Sequence, residues 1–450
     1  MNNKVMVAGA GKSGIAAARL LAEMGGEVLL YDSNEKLNIE EVMKKLPSGS
    51  NIKIRTGELR NTDVVGCSMC IMSPGISCEA PFVKLLDEKK IPLWSEIELA
   101  SYVSKGTIVA ITGTNGKTTT TALTGKIMER KYSDTYVVGN IGTPFTEAAL
   151  KTTDDSVIVH ETSSFQLETI IDFHPHVSAI LNITPDHLDR HHTLENYIAI
   201  KKDITMNQTK DDYVVLNYED DVLREFGTGD ECPATAVFFS SKRKLAEGIY
   251  LDNGEIVRAH EGRIVSIIAI DDLKLLGEHN HENVMAAIAM GFCMGVDIQD
   301  IRQACKEFTA VEHRIEYVLE RTGVKYYNDS KGTNPDAAIR AVRAMPGPII
   351  LIAGGYDKHS EYDEWIEECV GRVKHLILLG QTRDAISECA RKHGITEIMY
   401  AESMEEAVSV AASYADPGDC VLLSPACASW GMFNNYEERG RIFKDAVRAL

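Results

Sequence analysis

Residues 107–119 read Thr-Ile-Val-Ala-Ile-Thr-Gly-Thr-Asn-Gly-Lys-Thr-Thr. The apolar run at 107–111 has the character of a buried strand. Gly113-Thr114-Asn115-Gly116-Lys117-Thr118-Thr119 follows, and a helix is expected from about Lys117. Glycines at a strand-to-helix junction let backbone N–H groups approach an anion, and a helix N-terminus favours phosphate. Lys117 could then reach β- and γ-phosphates, and the Thr118 hydroxyl could ligate Mg²⁺. The loop departs from the full Gly-x-x-x-x-Gly-Lys-Thr pattern, because its first glycine would fall at Ile111. An ordinary glycine-rich turn is the bland alternative, but packing gives a Gly-Lys-Thr-Thr series little reason to stand there.

Downstream, a strand expected at 157–160 ends in Glu161. An acid at that edge, in the sheet that carries the loop, is placed to hold Mg²⁺; a solvated strand end is the other reading. The next strand, expected at 177–183, runs into Thr184-Pro185-Asp186-His187. His187 could approach the same site. His191 and His192 read as solvated loop residues, and Lys201 as a solvated lysine on a helical stretch at 197–202.

Upstream, a strand at 4–8 leads into Gly9-Ala10-Gly11-Lys12-Ser13-Gly14, a helix to about residue 24, and a strand at 28–31 closed by Asp32. This is the Gly-x-Gly-x-x-Gly fingerprint in its proper context, with an acid where a ribose would be held. The loop alone leaves three readings open: NAD(P), the diphosphate of another nucleotide, or tight packing without a ligand. Cys67 and Cys70 form a Cys-x-x-Cys inside a stretch that reads as a buried strand, with no second pair at zinc spacing.

Strand and helix patterns alternate almost from end to end, the rhythm of α/β architecture with mostly parallel sheets. A chain of 450 residues, 44% hydrophobic and 25% charged, suggests about three domains. Their expected bounds are 1–103, Rossmann-like; 104–309, a parallel sheet around the phosphate loop; and 310–450, again Rossmann-like. A helix is expected at 281–294, hairpin alternation at 237–270, strands at 349–353, 376–379 and 420–423, and a last helix at 436–449. A net charge of −19 argues against nucleic acid and anionic membranes. The start lacks a signal-peptide pattern, and no apolar run approaches the ~20 residues of a membrane helix. A cytoplasmic monomer without membrane insertion is expected.

Taken together, the motifs resemble the Mur ligases of peptidoglycan synthesis. They are 112–119 and Glu-Thr-Ser-Ser-Phe-Gln-Leu-Glu at 161–168, then Asn-Ile-Thr-Pro-Asp-His-Leu-Asp-Arg at 182–190 and Gly-Glu-His-Asn-His-Glu-Asn at 277–283. Glu-His-Arg-Ile-Glu at 312–316 and Asn-Asp-Ser-Lys-Gly-Thr-Asn-Pro at 328–335 complete the series. Within the family, Ser-Pro-Gly-Ile at 73–76, the opening glycine loop and Ser-Pro-Ala-Cys-Ala-Ser-Trp at 424–430 are similar to the D-glutamate-adding branch. The Asp-Asn-Pro-Arg motif of the diaminopimelate- or lysine-adding branches is not found.

The resemblance implies ATP, two Mg²⁺ ions, and the small-molecule substrates UDP-N-acetylmuramoyl-L-alanine and D-glutamate. It implies that Gly113 to Thr119 hold the ATP phosphates, that Asn280 and Asn283 contact adenine, and that Arg314, Asp329 and Lys331 complete the ATP site. Thr118 and Glu161 would ligate Mg²⁺, His187 a second Mg²⁺, and Lys201 would carry a metal-bridging carbamate derived from CO₂. Lys117, Lys201, His187, Arg314 and Lys331 would be the catalytic set. Gly11, Lys12, Ser13, Asp32, Ser33, Asn34, Gly75, Asn140 and His187 would line the UDP-substrate path; Thr333, Lys358, Ser429 and Tyr436 would hold D-glutamate. Lys12 and Ser13 replace a Leu-Thr pair of some relatives, Asn34 stands where an arginine can sit, and Tyr436 where a Phe can.

The implied chemistry activates a carboxylate as an acyl phosphate, which an amine then attacks. Bringing a carboxylate to a γ-phosphate requires fixed positive charge from several parts of the chain, so closure of the third domain on ATP is expected. Three rivals compete: a folylpolyglutamate synthetase-like enzyme, disfavoured by the N-terminal glycine-loop domain; an NAD(P) oxidoreductase; and a non-enzymatic nucleotide switch.

Overall fold

The computed structural model describes residues 4–140, 142–275, 277–309, 311–357 and 360–450; Lys358 lies outside them. The chain divides into two compact units, 1–272 with 282–306, and 273–281 with 307–450.

In the first unit, the N-terminal segment forms a five-stranded parallel sheet. Its order is Ile52–Thr56, Glu27–Asp32, Lys4–Ala8, Cys67–Met72, Leu93–Ser95. The alternation of side chains along a strand sends Val5, Val7, Val28, Leu30 and Ile71 to one core and Met6, Ala8, Leu29, Tyr31, Cys70 and Met72 to the other. Both faces are covered, which is why these strands read as unbroken apolar runs. Cys70 is fully buried and burial pushes its thiol up, so the Cys-x-x-Cys belongs to the core.

The same unit contains a nine-stranded sheet. Thr135–Gly139, Val157–Glu161, Thr107–Thr112, Val177–Ile180, Tyr213–Asn217, Thr235–Ser240 and Gly248–Asp252 run parallel. Glu255–His260 and Arg263–Ala269 add an antiparallel ribbon, the hairpin alternation expected at 237–270. The strand expected to reach residue 183 stops at Ile180, because the chain turns there to wrap the phosphate loop. The helix expected from residue 281 runs Glu278–Cys293.

Two buried carboxylates join the sheets. Ser95 caps helix Glu96–Val103 by accepting from the Glu98 amide. Glu98 accepts the backbone N–H groups of Ile171 (2.9 Å), Asp172 (2.8 Å) and Phe173 (3.1 Å). Glu96 Oε1 accepts from the Thr146 amide at 2.7 Å and its hydroxyl at 2.6 Å. Each is 1% exposed. Buried carboxylates persist only when bonded in this way, and burial still pushes Glu96 above its usual range.

The second unit is built on a six-stranded sheet in the order Glu316–Arg321, Val324–Asn328, Cys420–Leu423, Ile349–Ala353, Val373–Leu378, Ile398–Tyr400. Only the first pairing is antiparallel. Leu351, Leu376 and Leu422 face one core, and Ile350, Ile352 and Val421 the other. Each such fully buried aliphatic side chain contributes about 1.5–3 kcal/mol. Helix Tyr436–Ala449 closes the chain. No helix among the described residues is long and apolar enough to cross a membrane.

Candidate functional site

Strand register sets the site in the first unit. Thr112 pairs with Ile180, and Ile111 with Glu161, so three parallel strands end together. At that edge lie the phosphate loop, Glu161 and the segment leading to His187. Gly113 has φ +148° and Gly116 φ +87°, and Gly116 serves as N-cap of helix Lys117–Met128. A Cβ on Gly116 would collide with Asn283 Oδ1. Asn283 is buried and also accepts from the Thr120 hydroxyl at 3.3 Å, so it abuts the loop.

The loop is held from the side by Asn182. Its Oδ1 accepts from the Asn115 amide at 2.8 Å and its Nδ2 donates to Asn115 O at 3.1 Å. Thr114 N donates to Asn182 O, and the Thr114 hydroxyl donates to Thr184 O, each at 3.0 Å. The Tyr197 hydroxyl lies 3.2 Å from that of Thr114. Sequence reasoning assigned nothing to Asn182 or Tyr197, although Asn182 opens one of the quoted motifs.

Two lysines converge on one carbonyl. Lys117 Nζ donates to Gly113 O at 2.7 Å, and Lys201 Nζ donates to the same oxygen at 2.9 Å. Lys201 also lies over the Tyr197 ring at 4.6 Å. It is 1% exposed, not the solvated surface lysine that its helix suggested. Helix Leu194–Lys202 turns this side chain inward against the loop, a tertiary outcome that local pattern does not carry. Burial, reinforced by the neighbouring Lys117 charge, brings the Lys201 amine down to about 6. At neutral pH it is therefore largely an uncharged, nucleophilic amine.

Glu161 is 2% exposed, and its Oε1 accepts from Asn140 Nδ2 at 3.1 Å. Thr118 is buried in the first turn of the loop helix, and Thr119 beside it. His187 has φ +52° and is half exposed, its ring centroid 4.9 Å from that of Phe165. His191, expected in solvent, is 1% exposed and sits 3.0 Å from the Ser164 hydroxyl. Its ring packs on Phe165 and Tyr197, and this packing removes it from water. His192 is exposed and pairs with Glu79 at 2.9 Å.

Arg190 was not foreseen either. It forks onto Glu168 at 2.9 and 2.6 Å and donates to Pro74 O at 2.7 Å and Ile76 O at 2.9 Å. Its guanidinium lies 4.1 Å from the Phe165 ring centroid. Gly75 is thereby fixed beside the segment that carries His187. At the first glycine loop, Asp32 accepts from the Ala10 and Asn34 amides, both at 2.9 Å. Lys12 Nζ donates to Gly142 O. Gly11, Lys12, Ser33, Asn34, Gly75 and Asn140 are exposed, Ser13 half-buried.

The second unit groups another set. Asp329 is 4% exposed; its oxygens accept from the Ile315 amide at 3.2 Å and the Ser424 hydroxyl at 2.8 Å. Burial pushes Asp329 up to about 7, against the opposing pull of Ser424 and Arg314. Arg314 Nε is buried without a hydrogen-bond partner among the described residues. Burial, with Arg340 and Arg314 nearby, brings the His279 imidazole down to about 4. Asn280 is buried in the first turn of its helix. Lys331 Nζ lies 5.7 Å from the Tyr436 ring centroid. Arg439 donates to the Ser330 hydroxyl at 3.0 Å and Ser330 O at 2.7 Å, fixing the strand-end turn that also carries Thr333. Ser429 is buried and Thr333 half-buried.

Comparison with known proteins agrees with this architecture. Residues 3–95 match the Mur ligase MurD-like N-terminal domain, 111–291 the Mur ligase middle domain, and 313–427 the Mur ligase glutamate ligase domain. The chain belongs to the Mur ligase family. Among its relatives, the UDP-N-acetylmuramoylalanine–D-glutamate ligase of Lachnoclostridium phytofermentans is 50% identical over 100% of this chain and 99% of its own. That of Lachnospira eligens is 51% identical over the same shares. The enzyme of the same name from Thermoanaerobacter sp. is 48% identical over 99% of this chain and 98% of its own. Among solved structures, UDP-N-acetylmuramate-alanine ligase MurC from Thermotoga maritima shares the fold with TM-score 0.63, at 18% identity over 100% of both chains. MurF ligase from the same organism, in complex with ADP, has TM-score 0.58 at 18% identity, covering 94% of this chain and 95% of that one.

Proposed function

We propose that this protein joins D-glutamate to the carboxylate of UDP-N-acetylmuramoyl-L-alanine, driven by ATP, in cytoplasmic peptidoglycan precursor synthesis. The observation that carries the reading is identity at half of all positions, over the full length, with ligases of that name. The phosphate loop with two lysines on one carbonyl supports the chemistry. Three domains divide the work: 1–103 for the UDP-sugar, 104–309 for ATP, and 310–450 for the amino acid. A monomer is sufficient for it.

Gly113 to Thr119 cradle the ATP phosphates through backbone N–H groups, and Lys117 swings from the Gly113 carbonyl to the γ-phosphate. Asn280 and Asn283 take adenine. Thr118, Glu161 and a carbamate on Lys201 would supply the hard oxygen ligands that Mg²⁺ prefers, and His187 would add a nitrogen. The donor set fits: Glu161 is a buried carboxylate, and the buried Lys201 amine is neutral enough to add CO₂. Two Mg²⁺ ions would neutralise phosphate charge. Gly11, Lys12, Ser13, Asp32, Ser33, Asn34, Gly75 and Asn140 line the path of the UDP-sugar. Thr333, Lys358, Ser429 and Tyr436 hold D-glutamate.

One carboxylate oxygen attacks the γ-phosphorus, and the bond to ADP breaks. Lys117, Arg314 and Lys331 offset the charge of the two anions brought together. The amine of D-glutamate adds to the acyl carbon after losing a proton. The tetrahedral adduct then expels phosphate, which takes the former carboxylate oxygen with it.

Phosphate release tests the reading directly. With ATP, Mg²⁺ and UDP-N-acetylmuramoyl-L-alanine supplied, release is expected with D-glutamate and not with L-glutamate, L-lysine or diaminopimelate. Equal release with another amino acid would overturn the substrate assignment, and nicotinamide-dependent turnover the whole reading.

A further inference from the structure

Helices Asp363–Cys369 and Arg383–Lys392, in the second unit, bring three ligand types to one point. Cys389 and His393 are four residues apart, and the His393 amide still donates to Cys389 O at 3.2 Å, so the helical turn continues to His393. That spacing puts both side chains on one face. Asp363 approaches from the other helix: its Oδ1 lies 2.9 Å from His393 Nε2. The carboxylate oxygen, the thiol sulfur and the imidazole nitrogen all lie within 4.8 Å of one another. Tetrahedral zinc, with bonds of about 2.0–2.3 Å, separates its ligand atoms by about 3.3–3.7 Å. Small side-chain rotations would therefore close the triangle.

A second observation points the same way. The other ring nitrogen of His393, Nδ1, lies 3.9 Å from Glu367 Oε1, beyond hydrogen-bond length but within reach of a rotation of the exposed Glu367 side chain. Metal-bound histidines typically present their second N–H to a carboxylate, which fixes tautomer and ring orientation. The point also attracts cations: Lys392 Nζ sits 2.8 Å from the same Asp363 oxygen, and its side chain is 70% exposed, so it can swing away.

We propose that Asp363, Cys389 and His393 form a zinc site with an open fourth position for water. Glu367 orients His393, and Lys392 is the cation that zinc displaces. The mixed sulfur, nitrogen and oxygen set suits Zn²⁺ and excludes Mg²⁺ as the preferred ion. The metal staples two helices of the second unit.

The test is Co²⁺ titration of the full chain under reducing, oxygen-free conditions. A thiolate-to-cobalt charge-transfer band saturating at one equivalent is expected, with Zn²⁺ displacing it. Sites built from oxygen and nitrogen alone give no such band. Cys389→Ser should abolish it and Cys67→Ser should keep it. Glu367→Gln should weaken Zn²⁺ binding by about tenfold or more. Lys392→Ala should tighten it, since a competing charge is removed. No band in the wild type, an undiminished band in Cys389→Ser, or unchanged or weaker binding in Lys392→Ala would overturn the proposal.

Discussion

The Lys201 amine has exchanged water for a carbonyl, a tyrosine face and a second lysine, and its chemistry follows from that. Lys201→Ala should lower turnover at least ~100-fold, the scale at which removal of a preorganised electrostatic group is felt. Added bicarbonate should not restore it, because the variant has no amine to carbamylate. Near wild-type rates would refute the carbamate. In the wild type, activity should fall as pH drops below about 6, where the amine takes up a proton and cannot hold CO₂. Asp329 shifts the opposite way. Its folded value near 7 lies above the ordinary carboxylate value, so the folded state holds the extra proton, and stability falls as pH rises from about 4 to 7. Asp329→Asn should melt above wild type at pH 8, with the gap narrowing as pH falls and closing only near pH 4, while turnover is lost. A gap that widens on acidification would contradict this. Neither burial was visible in the sequence. Nothing local to Lys201 says that it turns in against the phosphate loop, and only packing on Phe165 and Tyr197 removes His191 from water.

Elements were more legible than side-chain environments. The strands at 4–8, 107–112 and 349–353 announce themselves because covering both sheet faces demands unbroken apolar runs. The glycine loops were visible for a similar reason: a left-handed φ at Gly116, with Asn283 pressed against it, leaves room for no other residue. Gly116→Ala should raise the KM for ATP by about tenfold or more, given ~1–2 kcal/mol for the left-handed backbone plus the collision. An unchanged KM, read from initial rates, would contradict the geometry. The joint through Glu96 and Glu98 escaped notice, since two glutamates opening a helix look like ordinary capping charges. Glu98→Ala would leave the N–H groups of Ile171, Asp172 and Phe173 without their acceptor, and that of Phe173 is buried, a loss of about 1–3 kcal/mol for a buried unsatisfied group. Its melting temperature should fall by several degrees in calorimetry; an unshifted transition would mean that water replaces the carboxylate. The C-terminal pair Glu316–Arg321 and Val324–Asn328 was also missed, because charged and polar residues break its apolar pattern.

At the scale of the molecule, the order of the motifs along the chain carries the family resemblance, and the three sheets accord with it. On the proposed roles of Arg314 and Lys331 at the γ-phosphate, closure of the third domain on ATP is expected, so ATP analogue plus UDP-sugar substrate should reduce the radius of gyration in solution scattering. An unchanged radius would count against closure. The central claim is that a carboxylate is activated as an acyl phosphate and captured by D-glutamate. It is tested most directly with UDP-N-acetylmuramoyl-L-alanine labelled with ¹⁸O in its carboxylate, by mass spectrometry of released phosphate during turnover. One labelled oxygen per phosphate, one phosphate per amide, and turnover only when D-glutamate is present are the expected results. Phosphate free of label, or labelled equally with L-lysine in place of D-glutamate, would contradict it.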